Sequence, residues 1–178
     1  MLSLALASIA CQIDVGGPEP PGDPIPVSTE AAAELEHAWE SAVAAAAGSG
    51  RLTILLTEAQ VTSFVALRLD AQEDPLLTAP QVYLREGMIQ IHGKTRQGVL
   101  AADVLITVTP TLQPDGTISF EVTSADLGPL PAPAALRQSV SAMLTEAFTS
   151  PLGSLATGFR ITTLVVDGGE AALVGEIR

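Results

Sequence analysis

Four runs between Val82 and Ala125 alternate apolar with polar side chains, and each pair of runs is separated by a short turn signal at hairpin spacing. The runs are Val82 to Glu86, Met88 to Arg96, Val99 to Thr109 and Thr117 to Ala125; the turns are Glu86-Gly87, Gln97-Gly98 and Pro114-Asp115-Gly116. Side chains on a strand point alternately to its two faces, and two- to five-residue turns join antiparallel neighbours, so the stretch predicts a meander. In the third run Leu100, Ala102, Val104, Ile106 and Val108 fall on one face; in the fourth Ile118, Phe120 and Val122 do. One face of the sheet is therefore apolar and needs a cover, while the other is mixed.

The candidates for that cover are helical. After a short strand, Arg51 to Leu56, Thr57 and Gln60 form a capping-box pair, with Leu56 and Val61 at the two positions of a hydrophobic staple. Val61, Phe64, Val65 and Leu69 follow at helical spacing until Asp74-Pro75. Another helix is expected from Ala134 to Thr149, where Leu136, Val140, Met143, Leu144, Ala147 and Phe148 make a narrow apolar stripe. Two closing strands, Phe159 to Val166 and Ala171 to Ile177, meet at Asp167-Gly168-Gly169. The expected fold class is α+β: a curved antiparallel sheet packed around two amphipathic helices, with an additional Ala-rich helix before them. That first helix runs from Thr29 to Gly48-Ser49-Gly50; its alanine content points to a peripheral spacer.

Upstream, the apolar run Leu2 to Ala10 ends at Cys11, the one cysteine of the 178-residue chain. It is shorter than the ~20 residues of a spanning helix and suits the apolar region of a signal peptide. Leu6-Ala7-Ser8-Ile9-Ala10-Cys11 resembles a bacterial lipobox, in which the cysteine receives the lipid; Ser8 stands where such motifs usually have leucine. Between Gln12 and Ser28, Pro18, Pro20, Pro21, Pro24 and Pro26 preclude a helix or central strand. The organisation expected is a signal and lipobox remnant over residues 1–11, a linker over 12–28 and one α+β domain over 29–178, divided into a helix (29–50) and a module (51–178).

Composition narrows the function. The formal charge is −12, from 20 acidic and 8 basic residues, and Lys94 is the lone lysine. A phosphate backbone needs a basic face, so no nucleic-acid partner is expected. One cysteine supplies neither an internal disulfide nor the sulfur set of a structural zinc site. The histidines are His37, on the acidic helix, and His92, mid-strand, and neither sits in a recognisable nucleophile–base arrangement. Asp115 and Asp167 belong to Gly-containing turns, Asp103 lies on the mixed sheet face, and Asp126 completes the carboxylates weighed as an acid–base pair. No catalytic residue, metal or cofactor is expected.

In order, the segments "LTEAQVTSFV" (Leu56 to Val65), "PDGTISFEV" (Pro114 to Val122), "LGPLPAP" (Leu127 to Pro133) and "FRITTLVVDGGEAALVGEI" (Phe159 to Ile177) resemble bacterial envelope proteins of the YpmS-like and LmeA-like type. Those are related to the tubular lipid-binding superfamily. The resemblance covers about Arg51 to Arg178, and Val61-Thr62 departs from it where an asparagine is common. It implies a helix–sheet groove that takes lipid or another apolar ligand. The residues facing the groove would be Phe64, Val104, Ile106, Phe120 and Val122, with Leu136, Val140, Met143, Leu144 and Phe148. With Cys11 as lipid anchor, the chain reads as an exported, membrane-anchored lipoprotein of the cell envelope. The alternative is a scaffolding lipoprotein with a closed core that binds a protein partner, since the same apolar stripes serve any core.

Overall fold

The Thr57 side chain accepts a hydrogen bond from Gln60 N at 3.3 Å while Gln60 Oε1 accepts one from Thr57 N at 3.0 Å, so the capping box closes as its sequence requires. The computed structural model in which it is seen describes residues 13–14, 16–75, 77–97, 100–128, 134, 138 and 158–177. Among them the elements run β1 (Ile13–Asp14), α1 (Thr29–Ser49), β2 (Arg51–Thr57), α2 (Glu58–Asp70), β3 (Thr78–Arg85), β4 (Met88–Gln97), β5 (Leu100–Leu112), β6 (Ile118–Asp126), β7 (Phe159–Asp167) and β8 (Glu170–Ile177). The expected helix from Ala134 to Thr149 lies outside the described residues apart from Ala134 and Gln138.

The fold is α+β, and its strands divide between two sheets. The meander β3–β4–β5–β6 forms in the expected antiparallel order, with β1 added in parallel at the start of β5. The other sheet places β8 between β2 and β7. The single curved sheet expected from the sequence is corrected accordingly: alternation tells which side chains share a face, and it carries no information about which strands share a sheet.

The two sheets meet at the turn end of the meander. Ile161 N donates to Gly116 O in the β5–β6 turn at 3.0 Å, and Gly87 N, in the β3–β4 turn, donates to Val166 O at 2.7 Å. Strand β7 thus spans the tips of both hairpins. Gly116 is essential to the first contact, because its φ is +81° and a Cβ there would lie 2.3 Å from Arg160 Cγ.

The edge of β3 away from β4 is covered by side chains of α2 and by the β7–β8 turn. Thr62 Oγ1 accepts from Val82 N and donates to Val82 O; Glu58 Oε1 accepts from Leu84 N; Gly169 N donates to Leu84 O. These contacts satisfy backbone groups that would otherwise be an open template for another strand. Glu58 also pairs with Arg85, whose guanidinium lies 5.8 Å from the Tyr83 ring centroid.

Helix α1 is part of the core and not a peripheral spacer. Ser28 caps it by accepting from Ala31 N, Gly50 ends it in the left-handed conformation, and Ala32, Leu35, Trp39 and Ala46 are buried. They join a cluster containing Leu52, Ile54 and Leu69. The small alanine side chains permit close approach of the helix; Leu35 and Trp39 supply most of the apolar area.

The prolines of residues 16–28 keep that segment out of regular structure, yet it runs along the meander. Asp103 N donates to Gly16 O at 3.2 Å, Ile25 N donates to Gln81 Oε1, Gln81 Nε2 donates to Ile25 O at 3.3 Å, and Ser28 N donates to Ser63 Oγ at 3.1 Å. This segment is a strap on the domain, a role its composition alone does not distinguish from a free linker.

A candidate ligand cleft between two sheets

The apolar faces of the two sheets look toward one another, and α2 closes one side. Strands β3 and β4 contribute Val82, Leu84, Ile89 and Ile91; β7 and β8 face them with Leu164, Val166, Ala171 and Leu173. The staple residues Leu56 and Val61, with Val65 one turn on, form the side wall. Pro110, Ile118 and Phe120 complete it from β5 and β6. Pro110 and Phe120 are cross-strand partners, so the two rings stand side by side on one face.

Every wall residue is apolar, and the cavity between them is about 40 Å³. That exceeds the ~10–15 Å³ in which one water fits and falls short of the ~150 Å³ of an engineered cavity that admits benzene. A wholly apolar cavity of this volume matches the end of an aliphatic chain better than an aromatic ring. It also offers nothing to bind a polar headgroup, which would have to remain outside.

Of the residues expected to face a groove, Phe120 lines the cleft. Val104 and Ile106 are fully buried in the closed core, Phe64 is buried with Arg68 over its ring at 5.3 Å, and Val122 packs against the core from β6 without reaching the cleft wall. Leu136, Val140, Met143, Leu144 and Phe148 lie outside the described residues, as does Cys11. Sequence reasoning missed the rest of the wall: the residues from β2 and α2, the inward side chains of β3 and β4, Pro110 and Ile118, and the inward side chains of β7 and β8. Their alternation, Leu164 and Val166 opposite Leu173 and Ala171, carried the signal.

The polar residues considered for chemistry are dispersed. His37 is exposed beside Glu40. His92 is buried on the face of the meander opposite the cleft, where Tyr83 meets it edge-on with 5.5 Å between ring centroids. Asp103 pairs with Lys94 at 2.7 Å. Asp115, Asp126 and Asp167 each accept a hydrogen bond from a turn amide: Thr117 N, Gly128 N and Glu86 N respectively. Among the described residues no three His, Cys, Asp or Glu side chains gather to hold a metal, and no helix is long and apolar enough to cross a membrane.

Comparison with known proteins finds no matching family model and no matching curated protein.

Proposed function

We propose that this chain is a non-catalytic binding protein of the cell envelope that holds the end of an aliphatic chain, from a lipid or another apolar ligand, between its two sheets. The observation that carries this reading is the uniformly apolar wall of the cleft, built from both sheets and α2. Water gains no hydrogen bonds there, so an aliphatic segment is the occupant that such a surface favours. In this reading Cys11 is the lipid-modified residue that keeps the domain at the membrane, two residues before β1.

Native mass spectrometry of the protein released from its own membranes tests the reading. The expected result is an adduct with the mass of an aliphatic lipid, lost on collisional activation, plus a covalent lipid increment that Cys11→Ser removes. Protein at its bare polypeptide mass, from membranes that contain lipid in excess, contradicts it.

One observation favours the scaffolding alternative. On the outer face of the three-stranded sheet, Leu55 and Val165 are 51% and 53% exposed, and both register with Ala172 of the central strand. An apolar row across three strands is a surface on which a protein partner can bury area. Loss of partner capture in Leu55→Glu, with aliphatic binding absent in the wild type, is the pattern that reading requires.

A further inference from the structure

The strap formed by residues 16–28 covers the mixed face of the meander, the side away from the cleft, and His92 lies beneath it at 4% exposure. The backbone of Pro18, on the strap, lies against the ring. Its Nδ1 is buried with no hydrogen-bond partner. The Tyr83 ring packs edge-on from β3, and the Tyr83 hydroxyl is itself buried without a partner. Two polar groups are thus sealed by a segment that has almost no regular hydrogen bonding of its own.

The strap is held at a few points. Near Pro18 these are the Gly16 carbonyl, which accepts from Asp103 N, and the close packing of Gly17, where a Cβ would lie 2.2 Å from Asp103 O. Farther along they are the paired bonds between Ile25 and Gln81. The charged side chains on the elements around His92 are Arg85 on β3, Lys94 and Arg96 on β4, Asp103 on β5, and Glu19 and Asp23 on the strap. Lys94 and Asp103 neutralise each other at 2.7 Å, and Arg85 is taken by Glu58.

We propose that the strap is a pH-gated cover, latched while His92 is neutral and released when His92 takes a second proton, uncovering the face of the meander that carries Gln81, Tyr83 and His92. Protonation puts a charge on the ring and an N–H on both nitrogens, and the latched state has no acceptor at Nδ1; the released state solvates charge and donor alike. Burial holds the ring's titration below its ordinary 6.5, with the Pro18 carbonyl opposing that shift. The released form therefore binds the proton more readily. Latching is at full strength above about 6.5 and weakens as pH falls from there through the lowered value of the latched ring.

The test is amide exchange by NMR on the full chain between pH 7.5 and 5, expressed as protection factors so that the intrinsic pH dependence cancels. Protection of the Ile25 and Asp103 amides should fall by at least about tenfold across that range, while amides of β7 and β8 keep theirs. His92→Gln keeps a polar side chain of similar reach and cannot be protonated, so its protection should be independent of pH; His37→Gln should behave as wild type. Gly17→Val serves if His92→Gln does not fold. It should detach the strap at every pH, and the His92 ring should then titrate near its ordinary value. Protection at Ile25 and Asp103 that is unchanged in the wild type, or lost equally in His92→Gln, overturns the proposal. So does a His92 ring that remains depressed in Gly17→Val.

Discussion

The Thr62 hydroxyl serves both backbone groups of Val82, accepting from its N–H at 3.0 Å and donating to its C=O at 3.3 Å. A helix side chain thereby occupies the place of a neighbouring strand at the edge of β3. Both residues are fully buried, so no water can substitute. Thr62→Val keeps the shape and removes the hydroxyl, leaving one donor and one acceptor unpaired at about 1–3 kcal/mol for each. At a few degrees per kcal/mol for a domain of this size, the melting temperature should fall by roughly 5–20 °C. An unchanged melting temperature would show that the edge is satisfied in another way.

The Thr57 cap is a local counterpart. Thr57→Ala removes the acceptor for Gln60 N and should cost about 1 kcal/mol, whereas Thr57→Ser should cost a fraction of that. Chemical denaturation of the three proteins, read as a shift in midpoint at constant slope, checks the ordering.

Tyr83 is the one tyrosine of the chain, so its ionisation can be followed directly by absorbance near 295 nm. Burial and the Glu58 carboxylate push its hydroxyl above the ordinary 10, against the opposing pull of the Arg85 guanidinium. The unfolded chain gives up this proton first as pH rises. The contribution to stability is therefore complete below about 10 and is lost as pH climbs from there through the raised value. The expected titration has its midpoint above 10 in the folded protein and returns to 10 in denaturant. A folded-state midpoint at 10 or below would contradict the burial seen here.

The strap makes a prediction opposite to that of a free linker. Deleting residues 13–28 removes the bonds to Gln81 and Asp103, strips the cover from Tyr83 and His92, and takes away the Ser28 cap of α1. Its unfolding midpoint should drop measurably, by more than Thr57→Ala alone. A deletion variant as stable as the full chain would return the segment to the role of a stalk.

Much of this architecture was legible in the residues. The hairpin turns at Glu86-Gly87 and Pro114-Asp115-Gly116, the capping box and the β7–β8 turn are local devices, and local devices are written in consecutive residues. What sequence pattern alone does not convey is the partnership of distant surfaces. The alternation of β7 does not say that it crosses the hairpin tips instead of extending the meander, so Leu164 and Val166 were not connected with Phe120. The prolines before Ser28 exclude regular structure and are silent about whether the extended chain is free or bound. Likewise an alanine-rich helix looks weakly amphipathic, though Ala46 is buried because its small side chain lets α1 sit close.

Leu164 and Val165 are neighbours on β7 that point to opposite faces, one into the cleft and the other to solvent. The most direct measurement is a fluorescence titration with the methyl ester of a linear polyene fatty acid, which is uncharged and has no aromatic ring. The wild type should bind it saturably, Leu164→Glu should weaken binding at least tenfold while remaining folded, and Val165→Glu should bind as the wild type does. A wild type that never binds the ester, or two variants that lose binding equally, would contradict an aliphatic site between the sheets.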